Sequence, residues 1–193
     1  MSSLKAFTPK LAALLGTPPI ALYERQRALV RAGLLELSAG RGPGSGVRLT
    51  PRAVAMLLIS VLVTGSLSDS VERTLETAEA VPDAGKCALT GKGTFLDALI
   101  AVIGGQVPIE RVGKVSVSRT SVHAELGHNF ATAKTKFSGP ATREKGMQNW
   151  TYLKASVMRS IIESVRAMTS LEDTNPKADP TKRRNPTRRA RGK

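Results

Sequence analysis

Cysteine is almost missing: Cys87 is the only one in 193 residues. A single thiol closes no internal disulfide and builds no cysteine-based zinc site, so packing alone has to hold the fold. Aromatic residues are scarce at 4%, which leaves the core to aliphatic side chains. Histidine occurs twice, at His123 and His128. An odd separation on a strand places the two on opposite faces, so no metal pair is expected. No apolar run is long. The longest, Ala53 to Val63, is broken by Ser60 and falls well short of the ~20 residues a membrane-spanning helix needs. The opening residues, Met-Ser-Ser-Leu-Lys-Ala-Phe, have no signal-peptide pattern. A soluble cytoplasmic protein with no membrane partner is expected.

Catalytic signatures are missing too. Gly91-Lys92-Gly93-Thr94 has the flavour of a phosphate loop, but a Walker A sequence needs glycine, four residues, then Gly-Lys-Ser/Thr. Position 86 is lysine and position 93 is glycine, so both ends fail. Gly40, Gly42, Gly44 and Gly46 are spaced by two, unlike a dinucleotide fingerprint. There is no Gly-x-Ser-x-Gly elbow for a serine nucleophile, and Asp97 and Glu125 form no pair that the sequence defines. Trp150 and Tyr152 read as core or interface anchors rather than a base-stacking platform. No enzyme and no cofactor are expected.

Positive charge, by contrast, is abundant. The net charge is +14, and it is uneven: residues 1–64 carry +6, residues 65–172 only +2, and residues 173–193 again +6. Basic ends around a balanced middle favour polyanionic partners. The tail from Asp173 is rich in proline, arginine and lysine and almost free of aliphatic residues, so it is expected to be disordered alone. Lys182, Arg183, Arg184, Arg188, Arg189 and Arg191 are its candidate polyanion contacts.

Local patterns predict an α+β protein with three parts: residues 1–64, 65–172 and the tail 173–193. Thr8-Pro9 reads as a helix start, with a hydroxyl cap followed by proline, and Gly16 as its stop. A second helix is expected from about Pro19 to Ala32, burying Leu22, Ala28 and Leu29. Tyr23, Arg27 and Arg31, spaced by four, share its outward face. Leu34–Leu37 and Val47–Leu49 read as two strands joined by a glycine-rich loop. Thr50-Pro51 caps a third helix running to about Thr64, apolar nearly all round and therefore buried on several sides. In the second part, a polar surface helix is expected over Asp69–Ala80 and a loop over Val81–Gly93. Thr94-Phe-Leu-Asp97 opens a helix to Ile103. Strands are expected near 112–119, 122–128 and 134–137. A last helix, Thr151–Met168, carries Leu153, Val157, Ile161, Val165 and Met168 on one stripe.

The order in residues 8–64 resembles a winged helix-turn-helix domain. Leu11-Ala12-x-x-Leu15-Gly16 is followed by a basic helix ending Leu29-Val-Arg-Ala-Gly33-Leu34-Leu35, then a loop, then Leu49-Thr50-Pro51. MarR-like regulators are similar, and the whole chain resembles regulators of phage or mobile-element type. Arg25 departs from the pattern, which calls for an aliphatic residue there. The resemblance implies a sequence-specific transcriptional regulator of double-stranded DNA. Tyr23, Glu24, Arg27 and Arg31 would lie at the major groove, Arg41 on the wing, and Arg48 and Arg52 at flanking phosphates. Glu24 could instead pair with Arg27. The middle part would serve homo-oligomerisation or effector response. Two alternatives compete: a DNA-binding assembly protein like a phage small terminase, and a nonspecific nucleic-acid binder driven by the tail.

Overall fold

Ser3, not Thr8, opens the first helix of the computed structural model, which describes residues 2–38, 46–129, 133–139 and 148–173. The glycine-rich loop with Arg41, and the basic tail with Lys182, Arg183, Arg184, Arg188, Arg189 and Arg191, lie outside the described residues. The Ser3 hydroxyl accepts from the Ala6 N–H at 3.1 Å, and helix α1 spans Leu4–Leu15. Leu4, Phe7 and Leu11 form a buried stripe at helical spacing, and this stripe sets the start one turn earlier than the Thr-Pro signal. Thr8 is interior, its hydroxyl donating to the Leu4 carbonyl at 2.9 Å. Pro9 sits inside α1 and has no N–H to offer, so the Lys5 carbonyl four residues back loses its helical donor.

Helix α2 spans Pro19–Arg31 and α3 spans Pro51–Val63, as the cap signals predict. Between them Leu34–Leu37 is not a continuous strand. One antiparallel bridge joins Leu37 to Val47, and a second joins Ser3 to Arg48. The Ser38 N–H donates to the Gly46 carbonyl at 2.9 Å, which closes the base of the glycine-rich loop. Helix α3 is buried on all sides except near Val61 and its first turn. It packs against α2, against α4 (Ser70–Ala78), against α5 (Phe95–Ile103) and against the sheet. Helix α4 is less superficial than its polar sequence suggests. Ser70, Thr74 and Thr77 are buried, and the first two satisfy their hydroxyls on backbone carbonyls of Leu67 and Ser70, which makes burial tolerable.

Strands β1 (Val81–Pro82), β2 (Val112–Ser118), β3 (His123–His128), β4 (Lys134–Ser138) and β5 (Trp150–Leu153) form an antiparallel sheet in the order β1-β4-β3-β2-β5. Two of these strands correct the sequence reading. Val81–Pro82 belongs to the sheet rather than to a loop, and Trp150–Leu153 pairs with the outer edge of β2 instead of opening the last helix. That helix, α6, spans Ala155–Asp173. Residues 150–153 alternate in exposure, with Leu153 inward and Trp150 and Tyr152 outward; this is the period of a strand, and it satisfies backbone groups that β2 would otherwise leave unpaired. The protein is therefore α+β. Helices α3 and α6 cover one face of the sheet, where Val115, Val117, Ala124, Leu126, Phe137 and Leu153 are buried. Phe95 of α5 tilts against Phe137, ring centres 5.2 Å apart. One hydrophobic cluster runs from Leu4 through α3 to Val165, so residues on both sides of Gly65 share a core. Among the described residues no helix is long and apolar enough to cross a membrane.

The β2–β3 register slips between Val112 and Val115, a bulge that brings Gly113 against Gly127. A Cβ on Gly113 would meet the Gly127 carbonyl oxygen at 2.6 Å. Gly113→Ala is expected to lower unfolding stability by about 1–3 kcal/mol in urea titrations. An unchanged midpoint would contradict that packing.

His128 ends β3 half-buried, its Nε2 without a hydrogen-bond partner. Burial, and then the charge of Arg111, hold its pKa below the ordinary 6.5. The unfolded chain therefore binds a proton more readily than the folded one. Stability from this residue is whole above the unfolded value and falls as pH drops through the folded value. Denaturation midpoints measured from pH 7.5 down to pH 5 should decline less steeply in His128→Gln than in the parent chain.

Candidate nucleic-acid interface

Helix α2 divides its side chains in an instructive way. Leu22, Arg25 and Leu29 are its buried residues, spaced as one helical stripe, so a guanidinium occupies the centre of an apolar face. Ala28, expected in the core, is only half-buried. The reason for Arg25 lies at the other end of the contact. Helix α3 has no basic residue in its last turn, and its final carbonyls present the negative end of the helix dipole at the edge of the core. Arg25 donates to the carbonyls of Ser60 at 2.6 Å, Thr64 at 2.9 Å and Gly65 at 3.2 Å. Arg119, from the β2–β3 turn, adds a contact to the Leu62 carbonyl at 3.4 Å. Burial, and secondarily the neighbouring Arg119 charge, pull the Arg25 pKa below its usual value. Three charge-assisted hydrogen bonds offset that cost. Its mismatch with the helix-turn-helix pattern is the sequence signal that marks it.

Tyr23 departs from the expected outward face. Its hydroxyl donates to the Lys5 carbonyl at 3.2 Å, the same carbonyl that Pro9 leaves without a helical donor. Tyr23 thus joins α2 to α1 and is half-buried. Glu24 takes the alternative role, accepting from Arg27 at 3.1 Å. That pair is well exposed, at 62% for Arg27 and 38% for Glu24, so it contributes little to stability and the guanidinium can be traded to another anion.

The four remaining described candidate arginines line two hollows that share one residue. Arg27 and Arg31 line a shallow groove of about 240 Å³ with Gln26, Val30 and Leu37. Leu37 is 61% exposed and also lines the adjoining hollow of about 700 Å³, whose rim includes Glu36, Arg48, Thr50 and Arg52. Arg27, Arg31, Arg48 and Arg52 are all exposed. Two arginines thus line each of two hollows that share the exposed Leu37 side chain, with Glu36 as the acidic member of the larger one. Arg52 also stands in the first turn of α3, where the positive end of the helix dipole favours an anion.

No family model, curated protein or solved structure matches this chain.

The placement of these arginines depends on α2 being fixed, and Arg25 is the fixing residue. Arg25→Leu fits the stripe but strips three carbonyls of their donor, and a loss of about 2–4 kcal/mol is expected. Chemical denaturation of the variant measures it; stability within 0.5 kcal/mol of the parent would contradict the role.

Proposed function

We propose that the chain is a sequence-specific DNA-binding regulator that meets a duplex with α2 and the adjoining glycine-rich loop, in the manner of a winged helix. The observation that carries this reading is that the exposed Arg27 and Arg31 and the exposed Arg48 and Arg52 line two hollows sharing Leu37 in a chain of net charge +14. Supporting it, one antiparallel bridge pairs Leu37 with Val47 soon after the basic helix. Arg27 and Arg31, one helical turn apart, would read base edges in the major groove, where arginine pairs with guanine O6 and N7. Arg48 and Arg52 would hold phosphates and set the register. The basic tail would add sequence-independent attraction, and a second copy of the chain would supply the matching half-site. Tyr23 is a brace within the protein in this reading, and Glu24 keeps Arg27 oriented until DNA displaces it.

Selection from random duplexes, followed by anisotropy titrations on the selected site, tests the proposal. Arg27→Ala is expected to cost about 1–3 kcal/mol on that site and much less on random duplex. If about six phosphates are neutralised, log affinity falls with log salt at a slope of about −5, and Arg48→Ala makes it shallower by about 1. Failure of the selection to yield any consensus, or equal losses on both duplexes for Arg27→Ala, would contradict sequence reading by this helix.

A further inference from the structure

The sheet face away from α3 and α6 carries two exposed aromatic residues and three lysines. Trp150 and Tyr152 stand on β5 two residues apart and exposed, at 36% and 55%. Strand geometry puts them on one side, about 6.6 Å apart along the chain. Register carries the same face inward across the sheet: Tyr152 lies opposite Ser116, Ser116 opposite Glu125, and Glu125 opposite Lys136. Lys114 lies over the Tyr152 ring at 5.6 Å, and Lys134 reaches Glu125 at 2.6 Å. Three lysines thus share this face with Glu125, while Asp83 touches its edge through Ser138. Beside Trp150 is a pocket of about 270 Å³ whose lining includes His123, Glu125, Lys136 and Gln148. It is smaller than the ~300–1,000 Å³ sites that enclose whole cofactors and suits a single flat ring.

Exposed aromatic rings in a chain with 4% aromatics need a reason. Exposed rings on one strand, lysines beside them and a small pocket with donors and acceptors are the parts of a single-strand platform: bases stack on aromatic faces while cations track the phosphates. We propose that this sheet face binds a single-stranded polynucleotide, with bases on Trp150 and Tyr152, phosphates near Lys114, Lys134 and Lys136, and one base edge read in the His123–Gln148 pocket. The surface is separate from the arginine-lined hollows that share Leu37 and stands independently of them.

Trp150 is the only tryptophan, so its emission reports on this face alone. Full-length protein is titrated with a twelve-nucleotide oligo(dT) and, in a parallel arm, oligo(U). Saturable quenching that weakens with salt is expected in at least one arm, and the stronger arm names the natural strand as DNA or RNA. Tyr152→Ala should weaken that quenching roughly tenfold, and Lys114→Gln with Lys136→Gln should flatten its salt dependence. Arg27→Ala with Arg31→Ala should leave it unchanged. Labelled-oligo anisotropy with Trp150→Ala and Tyr152→Ala together, checked for a native circular dichroism melt, should show the same loss. Three results would overturn the proposal: no quenching in either arm, quenching indifferent to Tyr152→Ala, or a concentration-dependent blue shift without oligonucleotide, which would show a second copy covering the face.

Discussion

A guanidinium inside an apolar helix stripe is the constraint on which the rest of this structure rests. Helix α3 is nearly wholly buried up to Val63 and the chain surfaces only at Gly65, so the carbonyls of its last turn lie at the edge of the interior and need donors from the protein. Arg25 satisfies three of them from α2, and Arg119 approaches a fourth from the β2–β3 turn. The two cations repel one another, and both are held by the dipole they cap. The consequence reaches beyond α3. Leu22, Arg25 and Leu29 face inward together, so the same rotation of α2 that delivers Arg25 to the interior turns Arg27 and Arg31 to the exterior. What holds the fold also aims the surface.

A second backbone vacancy works in parallel. Pro9 deprives the Lys5 carbonyl of its helical donor, and the Tyr23 hydroxyl fills the place. α2 is thereby tied to α1 on one side and to α3 on another. A helix held at both flanks presents its exposed edge with little freedom to tilt, which is what recognition of a rigid duplex requires. The same logic bears on the sheet face with the aromatic residues: β5 is anchored along β2, so Trp150 and Tyr152 project from a fixed strand.

Periodicity in the sequence revealed most of the architecture where one element dominates its own environment. α2, α3, α5 and the β2–β3 hairpin are readable because caps, proline positions and apolar spacing agree. The misreadings come from residues whose fate is decided by distant partners. Thr8-Pro9 imitates a helix start, yet the Leu4–Phe7–Leu11 stripe recruits the preceding turn. Trp150–Leu153 continues a helical pattern into α6, yet the unpaired edge of β2 claims it. At the candidate interface the arginines on α2 and beside Thr50 are visible in sequence, but the two hollows they line on either side of Leu37 are a product of the fold. Tyr23 and Arg25 show the limit most sharply. Both lie on a basic helix, and only the positions of Lys5 and Ser60 decide that they serve the interior.

Hydrogen–deuterium exchange of the full chain, with and without a duplex pool, tests most directly whether the folded arginine face is the DNA contact. The account predicts slowed exchange in peptides covering residues 26–38 and 46–53 when duplex is present. Slowing confined to peptides from residues 174–193, with the α2 and α3 N-terminal peptides unchanged, would contradict it.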